Sequence, residues 1–173
     1  MKWVKQSIHY WCPDTKEHKF LGQNVTVAIL DTGISPHPDF KDRILSFRDF
    51  SSTTGSSEKV LFSFSHFSPL IDNSGHGTHV AGILAGSGLL SSGTYAGIAP
   101  FCNLIIGKVL DQNGNGSIKN VINGIQWIRD IYTQFHIRII NISVGTRPDL
   151  SIHQKLLLLN AVESLWDLGL VVV

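Results

Sequence analysis

The sequence predicts an α/β fold, with a parallel central sheet and helices on both faces. Two observations carry this expectation. Short β-rich runs near residues 25–30, 104–110, 138–143 and 170–173 alternate with segments of helical period, the order expected of strand–helix units in a parallel sheet. The first run, Val25-Thr26-Val27-Ala28-Ile29-Leu30, is also apolar but for Thr26, as in a strand covered on both faces.

The elements follow in order. Residues 1–21 mix charges with Trp3, Tyr10, Trp11, Cys12 and Pro13, and no apolar run of a secretory leader follows Met1. They read as an N-terminal extension, and residues 22–173 as the domain. Asp31 closes the first strand, and Thr32-Gly33 turns the chain. Residues 51–58 are a polar surface loop. Phe62, Phe64 and Phe67 alternate with serines and His66, a pattern that fits a small strand or a partly buried loop. The polar turn Asp72-Asn73-Ser74-Gly75 precedes a helix, on which Val80, Ile83 and Leu84 repeat at helical spacing. Gly77, Ala81, Gly82, Ala85 and Gly86 leave that helix a face almost without side chains. Each interior glycine costs ~1 kcal/mol relative to alanine, so the pattern predicts a close backbone approach.

After a strand at Leu104–Leu110, Ser117 is an N-cap, and Ile118, Val121, Ile122, Ile125, Ile128 and Tyr132 form a helical stripe. Arg138–Ser143 is a strand. Ser151-Ile152-His153-Gln154 has the form of a capping box. Its helix runs through the Leu156–Leu159 group to about Leu168 and is expected to pack on two sides. Gly169 ends it, and Leu170–Val173 begins a buried central strand.

Two residues carry chemistry. Asp31 stands at the carboxyl end of a strand, where ligands gather in open α/β sheets, and His76 opens a helix. A carboxylate that accepts an imidazole N–H fixes the ring's tautomer and stabilises the imidazolium formed on proton transfer. The positive end of the helix dipole favours a neutral, basic imidazole. Taken singly, the plainer readings are a turn aspartate and a capping or core histidine. His76 and His79 also share one helix face, and with Asp31 or Asp72 they suggest a metal site. Nothing resembles His-Glu-x-x-His, so no metal ligand is assigned.

Taken together, Asp31-Thr32-Gly33 and His76-Gly77-Thr78-His79-Val80-Ala81-Gly82 resemble the subtilisin-like serine proteases (subtilases), whose triad runs Asp, His, Ser along the chain. Gly97-Ile98-Ala99-Pro100, Lys108-Val109-Leu110, Asn113-Gly114-Asn115-Gly116 and the Ile139–Gly145 strand ending in Ser-x-Gly extend the similarity over residues 22–173. The resemblance implies that Asp31 orients His76, and that His76 is general base and then general acid. It makes Gly114, Asn115 and Gly116, with Ser143, Val144 and Gly145, two edge segments that flank an extended peptide by main-chain hydrogen bonds. It makes His79 a buried, hydrogen-bonded residue. It also implies an Ala-Gly-Asn segment, whose asparagine donates to the oxyanion, and a Gly-Thr-Ser segment bearing the nucleophile. Neither occurs, and Ser74, Ser87 and Ser143 lack the strand-to-helix setting of a nucleophile. The expectation is a truncated subtilisin-like fold: part of a serine endopeptidase, inactive alone, whose partners are a polypeptide substrate and its own missing C-terminal portion. Two alternatives stay open, a non-catalytic peptide-binding relic and a His/carboxylate metal-binding protein.

With a formal net charge of +1 and no basic stripe, neither nucleic acid nor an anionic membrane is an expected partner. The longest leucine run, Leu156–Leu159, falls far short of the ~20 residues of a membrane span. Cys12 and Cys102 permit one disulfide without implying it. Sparse cysteine and the missing leader point to the cytoplasm, or to secretion if an upstream signal and propeptide were lost. No cofactor is expected. Calcium stays open with no site identified, since residues 83–96 contain no acidic side chain.

Overall fold

The first apolar run forms strand β1 (Thr26–Asp31), buried along its whole length. In the computed structural model, which describes residues 2–10, 20–51, 60–61, 71–145 and 150–173, five further strands join it. They are β2 (Ile44–Asp49), β3 (Val60–Leu61), β4 (Asn103–Lys108), β5 (Ile137–Ile142) and β6 (Val171–Val172). The helices are α1 (Lys2–Ser7), α2 (His76–Ala85), α3 (Ile118–Ile131) and α4 (Ile152–Trp166). The loop expected at 51–58 lies outside the described residues beyond Ser51, as does the stretch with Phe62, Phe64 and Phe67.

The sheet order is β3-β2-β4-β1-β5-β6. All pairings are parallel except that of the two-residue β3, which runs antiparallel to β2 at one edge. Successive side chains of a strand point to opposite faces, and β1 divides its residues accordingly. Ala28 and Leu30 join a core with Ile105, Ile140 and the α3 and α4 residues Val121, Ile125, Ile128 and Leu165. Val27 and Ile29 join a second core with Leu104, Ile106 and the α2 residues Ala81 and Ala85. Helices therefore cover both faces, as expected of this α/β class. The caps of α3 and α4 also form as read: Ser117 Oγ accepts from Asn120 N, and Ser151 with Gln154 makes a full capping box.

The close approach read from the small-residue face of α2 also forms: Gly77, Ala81 and Ala85 are buried, Val80 and Leu84 pack half-buried against the second core, and only Ile83 of the apolar repeat is exposed. Other expectations need correction. The Leu156–Leu159 group is not packed on two sides. Leu158 alone joins the core, while Leu156, Leu157 and Leu159 are exposed. The strand at 170–173 is not central among the described strands. β6 pairs only with β5, and Val171 and Val173 are exposed. Within the extension, Tyr10 is buried and its hydroxyl donates to the Ile98 carbonyl at 2.8 Å.

Candidate active site

The site is assembled at the carboxyl ends of the central strands. β1 delivers Asp31 with no exposed surface, and the Thr32 N–H donates to its Oδ1 at 2.6 Å. Gly33 then bends the chain at φ +114°, and a Cβ there would lie 2.0 Å from the Ile71 carbonyl oxygen, so no other residue fits. Lys108, which faces Asp31 in the β1–β4 register, is itself buried. Its ammonium ties the turn down, donating to the carbonyls of Thr32 at 2.6 Å and Leu110 at 2.9 Å.

α2 arrives from the second core with His76 as its first residue. The His76 Nδ1 stands 2.8 Å from Asp31 Oδ1 and 3.0 Å from Oδ2. An ionised carboxylate only accepts, so Nδ1 carries the proton and the lone pair of the neutral ring lies on Nε2. Among the described residues no hydrogen bond is made to Nε2, and the His76 side chain is 54% exposed. The Asp31 hydrogen bond and charge hold the imidazole above the usual histidine pKa, with Asp72 adding to this and desolvation opposing it. This corrects the expectation that the helix terminus keeps the ring neutral. A carboxylate in direct contact outweighs the partial charge of the dipole.

His79 is not the buried residue expected. It lies two positions on from Gly77, ~200° around the helix, and is exposed with no hydrogen bond to its ring among the described residues. No group of three or more His, Cys, Asp or Glu among the described residues could hold a metal ion. Cys102 is a buried free thiol, pushed up to about 11 chiefly by desolvation.

The two expected peptide-flanking segments come together across a cleft of about 820 Å³. Gly114, Asn115 and Gly116 line it together with Val144 and Gly145; Leu110, Val121 and Leu158 give it apolar surface. Ser143 is not part of this lining, and its Oγ accepts from Asn141 Nδ2 at 2.6 Å. The glycine loop is pinned by Asp111, whose Oδ1 accepts from the Asn113 N–H at 2.8 Å and the Asn115 N–H at 2.9 Å. A Cβ on Gly116 would meet the Val109 carbonyl oxygen at 2.6 Å.

Sequence reasoning treated Asp72 only as a turn residue or a metal ligand. The structure gives it five hydrogen bonds, from the Thr32 and Thr78 hydroxyls and the Ser74, Gly75 and Thr78 amides. Burial pushes its pKa up, but these donors outweigh burial and leave it below the usual carboxylate value. Its place four residues before His76 was the available signal.

With this arrangement in view, comparison with known proteins decides the family. Residues 22–167 match the model of the subtilase family. The chain belongs to that family. It is 41% identical over 156 residues to the serine protease AprX of Bacillus subtilis (strain 168), covering 87% of this chain and 32% of that protein. The major intracellular serine protease of the same organism is 38% identical over 130 residues, covering 74% of this chain and 36% of the relative. Among solved structures, the CspB protease of Clostridium perfringens superposes with a TM-score of 0.77 at 26% identity, over 92% of this chain and 36% of that one. Sphericase gives 0.70 at 27% identity, over 87% and 45%. The chain thus spans about a third of the length of these two curated relatives (32% and 36%).

Proposed function

We propose that this subtilase chain supplies the acid–base half of a serine endopeptidase. The observation that carries the reading is the bond from His76 Nδ1 to the buried Asp31 carboxylate, with Nε2 turned outward. In this reading an extended peptide lies between Gly114–Gly116 and Ser143–Gly145, held by main-chain hydrogen bonds. The nucleophile is the serine of a Gly-Thr-Ser segment, and it comes from polypeptide other than residues 1–173. As its oxygen attacks the scissile carbonyl carbon, its proton passes to His76 Nε2. Asp31 stays ionised and stabilises the imidazolium. His76 then gives that proton to the leaving amine, and water hydrolyses the acyl-enzyme by the same route. Neither a metal nor a cofactor takes part.

The partner in this reading is a C-terminal portion that pairs with the open edge of β6 and covers Leu156, Leu157 and Leu159, all exposed here. Adding the C-terminal portion of a related subtilase in trans should therefore raise the thermal midpoint and produce peptide hydrolysis. His76→Ala should remove the hydrolysis and leave the stabilisation. Stabilisation without hydrolysis, together with saturable peptide binding in the cleft, would instead support the non-catalytic peptide-binding relic, which the same cleft allows.

A further inference from the structure

The turn that carries His76 is held by groups that the proton transfer does not use. Gly75 precedes α2 in the left-handed region (φ +84°) and offers no side-chain cap. The first amides of a helix have no intrahelical partner. Here distant groups take them: Gly77 N–H donates to Thr32 Oγ1 at 2.9 Å, and Thr78 N–H to Asp72 Oδ2 at 2.8 Å. The Thr32 hydroxyl donates in turn to Asp72 Oδ1 at 2.8 Å. A hydroxyl has one proton and two lone pairs, so giving the proton to Asp72 turns a lone pair towards Gly77. Asp72 is held on its other oxygen by the Thr78 hydroxyl at 2.5 Å. The outcome is a closed ring. Asp31 bonds His76 through their side chains, and the residue after Asp31 bonds the residue after His76.

We infer that the Thr32 hydroxyl and the Asp72 carboxylate form a clasp that sets the distance and angle between Asp31 and His76, which makes both positioning residues of the acid–base pair. The inference rests on the reading of that pair given above. Both groups are buried, with Thr32 1% and Asp72 9% exposed, so solvent does not compete for the bonds. All five donors to Asp72 come from the two segments it joins, one from the Asp31 turn and four from residues 74–78. An ordinary helix cap would stabilise α2 and leave the Asp31–His76 bond unchanged. A clasp changes that bond when it is cut.

The test reads the His76 titration midpoint by NMR in the 173-residue chain, with ring signals assigned by difference from His76→Gln. The carboxylates facing His76 are Asp31 and Asp72, so Asp72→Asn alters charge as well as geometry. Thr32→Val cuts the clasp at constant charge. It should lower the midpoint by ~0.5 unit or more, while Thr32→Ser, which keeps the hydroxyl, should stay within ~0.2 unit of the parent. Thr78→Val, which loosens Asp72 on its other oxygen, should lower it by less. Asp31→Asn separates the two claims. A midpoint that does not fall in Asp31→Asn removes the acid–base pair itself. A midpoint that falls in Asp31→Asn but holds in a folded Thr32→Val overturns the clasp alone. If Thr32→Val does not fold, an unchanged midpoint in Thr78→Val overturns it equally.

Discussion

The Cβ that Gly77 lacks would fall 2.3 Å from the carbonyl oxygen of Gly33, so the first turn of α2 rests directly on the turn that follows β1. That contact brings His76 to Asp31. It also explains why a helix needed at the site is built from poor helix formers.

Gly77→Ala should therefore destabilise the chain, although alanine is the better helix residue by ~1 kcal/mol. The clash is with backbone, which cannot rotate away, and overpacking of this kind costs ~1–3 kcal/mol net. Gly82 sits in the same helix with nothing within 4 Å of its absent Cβ. Gly82→Ala should stabilise by ~0.5–1 kcal/mol. Urea midpoints of the two variants should move in opposite directions, and a gain in both would show that the close approach is unimportant.

Two pH dependences follow from opposite signs. The His76 pKa is raised in the fold, so the stability it contributes is fully present below the free histidine value of ~6.5 and is lost as pH rises through the folded value. The Asp72 pKa is lowered, so its contribution is present above ~3.9 and is lost as pH falls through the folded value. Against the parent, Asp72→Asn should flatten the acid side of a stability–pH curve and His76→Gln the side above neutrality. The same sign puts the rising limb of kcat in an active assembly above the pKa of free imidazole.

Asp111 pins the Gly114–Gly116 side of the cleft through two amides and lies apart from the proton transfer. In an active assembly, Asp111→Ala should raise KM about 5-fold, in line with ~1 kcal/mol for a lost hydrogen-bonded preorganisation, and leave kcat within about 2-fold. A fall in kcat at constant KM would tell against this segment as a ground-state peptide binder.

Much of this site was legible in the sequence because its signals are local. The largely apolar run that precedes Asp31 marked a strand covered on both faces, and Ser151 with Gln154 marked a helix start. The glycines of α2 marked a close approach without revealing its target, which is Gly33, 44 positions earlier than Gly77. Periodicity marked α2 as a helix through Val80, Ile83 and Leu84, of which Val80 and Leu84 flank the buried Gly77, Ala81 and Ala85 and Ile83 is exposed. β2 went unanticipated, since Ile44-Leu45-Ser46-Phe47-Arg48-Asp49 breaks its apolar pattern at an outer position of the sheet. The roles of Asp72 and Lys108 were missed for a different reason. Asp72 stands close to His76 along the chain, but the partner that gives each its role lies across the fold, the Thr32 hydroxyl for Asp72 and the Thr32 carbonyl for Lys108.

Whether His76 serves a nucleophile supplied from elsewhere is read most directly by fluorophosphonate labelling. The 173-residue chain alone should take no label, because no serine of the family's Gly-Thr-Ser kind occurs in it. Mixed with the C-terminal portion of a related subtilase, the assembly should label stoichiometrically on that added portion. His76→Ala should then slow labelling by ~10⁴-fold or more. Stoichiometric labelling of the chain alone, abolished by His76→Ala, would place the nucleophile within these residues, and labelling of the assembly that ignores His76→Ala would remove His76 from the chemistry.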